Sequence, residues 1–375
     1  MSRFRLLVVL ALIVLGVVAY TARIQHEMVD FITWRQSAVR ALHAEPLYRV
    51  EDGHYQFKYL PAFALIMAPL GALDEDTGKM LWFAISVGLL AALLRWSVVT
   101  LPGRRLPQLT LVWITVILMA KFYLHELVLG QTNALLGALL VGALVAVQRD
   151  RPLAAGALVG AAVFVKPYAL ILMPWLLVTK GWRAIAMAAS VVAAGLLLPA
   201  VVYGWTGNQD LLRGWLRTVT DSTTPNLLGN DNVSIASMWA KWLGPGAPAT
   251  ILTLVTLLTI GALVIAAWRW RRGVPAPEYL EFALLMLLIP LVSPQGWDYI
   301  LLLATPAVVC LVDRWREFPR LWQWGLGLAL ALMCLSSFDL MGRALYGRFM
   351  ALAIVSVCAL VIAVGLLRAR QLRLA

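Results

Sequence analysis

Charged residues are scarce in this chain of 375 residues, since Asp, Glu, Lys and Arg together make up 13% of it. A soluble globular domain carries about 25% charged residues and about 45–50% apolar ones. Here the hydrophobic share is 62% and the mean hydropathy is +0.83. The lack of charge therefore excludes an ordinary soluble domain and indicates that lipid surrounds most of the chain.

The apolar runs also lack the alternation of polar and apolar residues that marks outer-membrane strands. They are continuous, and a bilayer core needs about 20 apolar residues per helical span. The sequence predicts an all-α integral membrane protein, a single polytopic domain over residues 1–375 with about twelve transmembrane helices. The predicted spans are roughly 6–22, 79–99, 107–123, 127–147, 152–166, 167–179, 183–203, 248–268, 279–293, 298–312, 321–338 and 349–367.

Cysteine is rare as well, and Cys310, Cys334 and Cys358 all lie inside apolar runs. Thiols in such surroundings behave as small hydrophobic side chains. The sequence contains no cysteine pair and no metal-ligand spacing, so it gives no sign of a disulfide framework or a structural zinc site. Acids and histidines between residues 23 and 58 leave a divalent cation open, without a diagnostic spacing.

Basic residues outnumber acidic ones by 31 to 19, which gives a net charge of +12. They fall in short clusters between apolar runs, as the positive-inside rule describes, and this explains the charge without a nucleic-acid partner. Placing the clusters in the cytoplasm puts both termini there. It also puts four polar regions together on the outer side: a first loop at 23–58, the region 125–133, a long loop at 204–247, and the region 293–298.

Two segments differ from the regular apolar spans. Residues 59–73 are apolar but hold Pro61 and Pro69, and they are short for a span, which predicts a half-inserted helix beside the first loop. The loop at 204–247 is rich in Asn and Asp, with Gly and Pro punctuation that is typical of irregular structure.

Asp30 lies in the first external loop, just beyond the first apolar run. His26, Asp30 and Trp34 follow one another at intervals of four, so on a helix they share one face. An amphipathic helix at the membrane surface would present this carboxylate and this indole to a bound molecule. The alternative is a solvated interfacial helix with ordinary charges.

Lysines mark two further positions. Lys58 and Tyr59 stand where the first loop returns to the membrane, and Lys166 precedes Pro167 in the middle of a long apolar run. A lysine at headgroup depth binds phosphate as a point charge, or else its stem lies in lipid while the ammonium reaches water. A helix break at Pro167 would bring Lys166 to the outer surface beside Lys58.

Polar groups also interrupt later apolar runs. Gln131 and Asn133 have amides that can bind sugar hydroxyls or bridge helices. Trp297 and Asp298 form an outward break with an aromatic ring that can stack on a sugar. Asn232 lies in a polar stretch that is either part of a binding site or the cap of the helix that follows.

The order of these motifs resembles glycosyltransferase family 87. The resemblance runs from about Val29 to Tyr299, and each motif alone is weak, while five in the same order on one membrane face are fairly specific. The matching features are an acid after the first span, an aromatic/Lys-Tyr-x-Pro return to the membrane, Gly-Gln-x-Asn, a Lys-Pro between spans, and Ser-Pro-x-x-Trp.

The resemblance implies a bundle of the glycosyltransferase-C type, with its active site on the extracytoplasmic face of the plasma membrane. It makes Asp30 the general base and places Lys58, Tyr59 and Lys166 near the phosphate of a lipid donor. The remaining candidates for sugar or acceptor contacts are Gln131, Asn133, Trp34, Asn232, Trp297 and Asp298. Tyr299 stands where a histidine is common in relatives.

The implied reaction moves a hexose, with mannose as first choice, from a polyprenyl-phosphate donor to a glycan or glycolipid acceptor, with membrane lipids as further partners. The chain shows no nucleotide-binding loop, which suits a lipid-linked donor. The main alternative is a transporter or flippase for a lipid-linked saccharide, although the chain has no internal repeat of the kind many transporters show. A lipid-linked oligosaccharide ligase or polymerase is a second alternative.

Overall fold

The computed structural model describes residues 14–374, and their regular structure is helical apart from one antiparallel bridge between Asn232 and Trp297. Residues 6–13 of the predicted first span, 6–22, lie outside the described residues. The longer helices that follow are Val29–Leu42, Glu75–Val99, Gln108–Leu129, Asn133–Gln148, Pro152–Val165, Trp182–Leu197, Ala200–Asn226, Ala247–Arg269, Glu278–Val292, Arg320–Leu335 and Ile354–Gln371.

Four of these helices are long and apolar enough to cross a membrane, namely Glu75–Val99, Gln108–Leu129, Ala247–Arg269 and Ile354–Gln371. A bent pair with an angle of 89° between its halves would be a fifth. The helical fold and its apolar spans make this an integral membrane protein. The larger count of about twelve spans stays a prediction, because many apolar helices among the described residues are shorter than 18 residues.

Proline and glycine set the helix ends around the later site. Pro152 is at the start of helix Pro152–Val165, where its missing N–H leaves no bond unmade. The helix ends at Lys166, whose backbone is extended, and Pro167 begins a new 3₁₀ segment. The predicted break at Lys166 and Pro167 is therefore present.

Helix Val29–Leu42 carries Asp30 in its first turn. Phe31, Trp34, Ala38 and Ala41 are fully buried, at the three- and four-residue intervals of one helix face. The first loop thus contains a helix whose apolar side packs on the bundle, and the predicted common face of Asp30 and Trp34 is divided, because Trp34 is buried while Asp30 reaches a cavity.

Gly130 is the point against which this helix docks. Its backbone is left-handed, with φ of 67°, and a Cβ there would lie 2.7 Å from the Cβ of Phe31. The Gly130 carbonyl accepts the indole N–H of Trp34 at 3.4 Å and that of Trp82 at 3.0 Å. A single carbonyl therefore ties together three helices.

The apolar segment after the first loop forms two short helices, Pro61–Ile66 and Ala68–Gly71. Pro61, Ala62, Phe63 and Ala64 are buried. The segment is in contact with the Asp30 helix, and neither short helix is long enough to span a bilayer.

The expectation of irregular structure at 204–247 is wrong. Helix Ala200–Asn226 occupies the first half of that region, and helix Ile235–Leu243 follows. Leu211, Trp215 and Val219 recur every four residues and face inward, so an apolar stripe holds the helix against the bundle despite its polar composition.

The densest part of the core surrounds helix Glu278–Val292, in which the side chains from Tyr279 to Leu291 are all buried. Basic residues cluster before helix Gln108–Leu129. There the Asp313 carboxylate accepts hydrogen bonds from the backbone N–H groups of Arg105 and Leu106. These bonds fix the loop that starts helix Gln108–Leu129, whose other end is at Gly130.

Candidate active site

A cavity of about 490 Å³ opens beside the Asp30 helix. Its walls come from segments far apart in sequence, which the fold brings to one place. The polar and aromatic residues that line it are Asp30, Thr33, His54, Tyr55, Gln56, Lys58, Tyr59, His125, Gln131, Lys166, Tyr168, Trp215, Asp231, Gln295, Trp297 and Tyr299.

Asp30 is partly buried at the cavity wall. Burial raises the pKa of the Asp30 carboxyl above its usual value, because the charged form loses water. A hydrogen bond with the Gln131 side chain opposes part of this rise, and the charges of Lys166 and Lys58 oppose it further. A carboxylate in this setting is a stronger proton acceptor than an aspartate in water.

Lys58 reaches the same cavity from the end of the first loop. Its ammonium donates to the Gln295 side-chain oxygen at 3.4 Å, and its carbonyl accepts the Trp215 indole N–H at 3.1 Å. Burial lowers the pKa of Lys58, and Asp30 opposes that shift. The lysine is therefore held in place while its ammonium stays available to a ligand.

Tyr59 is fixed at both ends. Its hydroxyl accepts a hydrogen bond from the Thr132 hydroxyl at 3.1 Å, and its carbonyl accepts one from the Tyr48 hydroxyl at 2.7 Å. The ring stacks on Phe63 with centroids 4.5 Å apart. Tyr59 thus supplies a rigid wall next to Lys58.

Lys166 enters the cavity at the helix break. The extended backbone at this residue turns the chain away from the preceding helix, and its neighbours Val165 and Pro167 also line the cavity. Two lysines from distant parts of the chain therefore lie with Asp30 in one cavity. An oxyanion placed between two ammonium groups gains electrostatic stabilisation there.

Gln131 and Asn133 have different surroundings. Gln131 lines the cavity and donates to the Tyr299 hydroxyl at 3.1 Å. Asn133 does not line it, and its amide donates to the buried carboxylate of Glu126 at 2.8 Å. The same carboxylate accepts the backbone N–H of Ala134 at 2.6 Å, so it closes the start of helix Asn133–Gln148.

Trp34 and Asn232 do not line the cavity either. Trp34 is fully buried in the core against Trp82. Asn232 donates to the carbonyls of Asn226 and Pro294 at 3.0 and 3.1 Å, which joins the end of helix Ala200–Asn226 to the segment before Trp297. Both side chains are therefore part of the surrounding structure and not of the cavity lining.

Trp297 lines the cavity, while Asp298 lies behind it with no exposed surface. One Asp298 oxygen is 3.4 Å from the Lys121 ammonium, and the other is 3.7 Å from Nδ1 of His125. The backbone N–H of Asp298 donates to the Asp231 carbonyl at 2.8 Å. Asp298 is thus the centre of a charged group that adjoins the cavity.

The sequence model of glycosyltransferase family 87 matches residues 57–294, which is more than half of the chain. The chain belongs to glycosyltransferase family 87. Among curated proteins and among solved structures, none matches it. Membership makes the protein a membrane glycosyltransferase, which acts on a sugar donor and an acceptor.

The part that matches family 87 contains Lys58, Tyr59, Gln131 and Lys166. Asp30 precedes it and Trp297 follows it. The cavity therefore joins residues from inside the matched part to residues on both sides of it.

Several lining residues of this family 87 member were not among the sequence candidates. His125 and Asp231 carry titratable groups, and Gln295 and Trp215 hold Lys58. His125 lies in an apolar run, where an ionisable side chain is a signal of a site. Trp215 belongs to the apolar stripe that recurs every four residues along its helix. The polar composition of the region hides that pattern.

Residues 14–374 contain no group of three or more His, Cys, Asp and Glu side chains arranged to hold a metal ion. Lys58 and Lys166 supply positive charge near the Asp30 carboxylate. The chemistry that these residues support is proton acceptance by a carboxylate beside a cationic anion-binding site.

Proposed function

We propose that this protein transfers a hexose, with mannose as the first candidate, from a polyprenyl-phosphate donor to a glycan or glycolipid acceptor on the extracytoplasmic face of the plasma membrane. The observation that carries the proposal is that one cavity contains Asp30, Lys58 and Lys166. A reaction that needs a base next to an anionic leaving group uses this combination. Family 87 membership limits the reaction to glycosyl transfer.

The chemical step follows from these side chains. The acceptor hydroxyl oxygen attacks the anomeric carbon and forms a new C–O bond, while its proton passes to the Asp30 carboxylate. The bond between the anomeric carbon and the phosphate oxygen breaks, and the bonding electrons leave with polyprenyl phosphate. A single displacement of this kind inverts the anomeric centre.

The two lysines act on the leaving group. Negative charge grows on the phosphate as the C–O bond breaks, and Lys58 and Lys166 stabilise it from fixed positions. Gln131 lies beside Asp30 in the cavity wall, where its side chain favours the ionised carboxylate. The aromatic walls at Tyr59 and Trp297 suit the flat apolar faces of a sugar ring.

The decisive experiment compares Asp30→Asn with wild-type protein, purified in detergent and supplied with polyprenyl-phosphate mannose and then with other sugar donors. We expect release of polyprenyl phosphate to fall by at least about a hundredfold, the lower end of what a general base contributes. Glu27→Gln is the matched control, because Glu27 is an exposed acid in the same loop. Its activity should equal that of the wild type.

An Asp30→Asn enzyme with full activity would remove Asp30 as the base. Movement of the lipid donor across a vesicle membrane without release of polyprenyl phosphate would favour the flippase alternative instead. Product of the same anomeric configuration as the donor would exclude a single displacement.

A further inference from the structure

His125 is part of the cavity wall, and the proposed reaction gives it no role. It lies in helix Gln108–Leu129, one turn before the end at Gly130. The chain has four histidines, and among them His54 and His125 line the cavity. His54 is exposed on the first loop, whereas His125 is half-buried.

The His125 ring is held on two sides. Its Nδ1 faces Asp298 at 3.7 Å, and its ring meets that of Tyr299 edge to face with centroids 5.3 Å apart. Tyr299 is itself fixed by the Gln131 amide. With Nδ1 directed to Asp298, Nε2 is the remaining polar atom of a ring that forms part of the cavity wall.

His125 shares the cavity lining with two acids, Asp30 and Asp231, which come from different parts of the chain. A molecule that fills the cavity and touches both acids therefore has His125 within the same enclosure.

Asp298 has the character of a group that orients another. It is fully buried, so a solvated surface charge is excluded, and its side chain faces the lining residue His125. Its two oxygens have separate neighbours. Oδ1 faces His125, whereas Oδ2 faces Lys121 at 3.4 Å and accepts from the Tyr346 hydroxyl at 3.3 Å.

We propose that His125 contacts the substrates as a hydrogen-bond acceptor through Nε2, and that Asp298 is the positioning residue that fixes its ring and tautomer. A carboxylate at Nδ1 favours the tautomer with its proton on that nitrogen, which leaves the lone pair of Nε2 facing the ligand. The ligand group is a hydroxyl of the donor sugar or of the acceptor, either of which donates a hydrogen bond. This inference rests on the proposed glycosyl transfer.

The kinetic test is a double-mutant cycle with His125→Ala and Asp298→Asn. We expect each single variant to lower kcat/KM by about tenfold to a hundredfold, the range for a buried polar group that is left without its partner. If Asp298 acts through His125, adding Asp298→Asn to His125→Ala causes no further loss. Multiplied losses in the double variant would overturn the positioning role, and an unaffected His125→Ala would overturn the contact.

Tyr346→Phe is the matched control. It removes the hydroxyl that bonds Oδ2 and leaves the oxygen that faces His125. We expect its kcat/KM to stay close to that of the wild type. A loss as large as that of Asp298→Asn would mean that the whole charged group serves the fold.

A second measurement needs no substrate. In protein with ¹⁵N-labelled histidine, the His125 signals are assigned by their absence from His125→Gln and compared in wild type and Asp298→Asn. We expect a proton on Nδ1 in the wild type and altered ring signals in the variant, and unchanged signals would overturn the orienting role. Asp30→Asn kinetics test the transfer reaction itself, so the two ideas fail separately.

Discussion

Asp30 and Lys58 show how burial adjusts two ordinary side chains for one reaction. Each has lost water, and the loss acts in opposite directions on an acid and a base. The acid becomes a better proton acceptor, and the lysine becomes easier to deprotonate. Their mutual attraction limits both shifts, so the acid and base stay charged together over a restricted range of pH.

This arrangement predicts a narrow pH profile. Burial raises the pKa of Asp30 from 3.8, and the base works only when ionised, so the rate falls as pH drops through that raised value. Burial lowers the pKa of Lys58 from 10.5, and its ammonium is lost as pH rises through the lowered value. We expect kcat/KM to follow a bell whose limbs lie inside those two reference values.

The variant that checks this assignment is Lys58→Arg, since a guanidinium stays charged throughout the range. Its alkaline limb should move to higher pH, and its acidic limb should stay where it is. An alkaline limb that does not move would assign that limb to another group.

At the scale of helices, the three named residues of the Gly-Gln-x-Asn motif have three different roles. Gly130 receives the Asp30 helix, Gln131 faces the cavity, and Asn133 joins Glu126 to close the start of the next helix. Gln131 and Asn133 are only two positions apart, yet Gln131 belongs to the candidate site and Asn133 stabilises the start of a helix beside it.

These separate roles predict different effects for Gln131→Ala and Asn133→Ala. Asn133→Ala leaves a buried Glu126 oxygen without its donor, which should lower the free energy of unfolding by about 1–3 kcal/mol. Gln131→Ala removes a contact of the cavity wall and should mainly lower kcat. Thermal unfolding in detergent and initial rates measure the two effects, and similar profiles for both variants would contradict these separate roles.

Sequence patterns located some of these elements and missed others for physical reasons. The break at Lys166 was predictable because proline cannot continue a helix and a lysine is costly at the bilayer centre. The helix at 200–226 was not, because the Asn, Asp and Gly residues distributed along it obscure the apolar residues that recur every four positions. Trp34 and Gln131 could not be told apart, since sequence gives the type of a side chain and packing decides which cavity it faces.

Across the whole molecule, the charged features separate along helix Gln108–Leu129. Arg105 and Asp313 meet just before it begins. The cavity lies at its other end, where His125 and Leu129 line it. At about 1.5 Å per residue, its 22 residues match the thickness of a bilayer core of about 30 Å. Arg105 and the cavity therefore lie about a membrane's width apart.

This separation predicts the sidedness of labelling in intact cells. Glu51→Cys, on the exposed first loop, should react with a membrane-impermeant maleimide, whereas Arg316→Cys should react only after permeabilisation. The three native cysteines are buried and give little background. The reverse pattern would place the cavity in the cytoplasm.

The shared contact of Trp34 and Trp82 with Gly130 has a spectroscopic consequence. Their ring centroids are 5.1 Å apart and their planes are inclined by 70°. Two indoles so close and so far from parallel couple their electronic transitions, which gives a paired positive and negative band in circular dichroism. Loss of these paired bands would show that helix Val29–Leu42 has detached from the bundle, even when the total helix content stays the same.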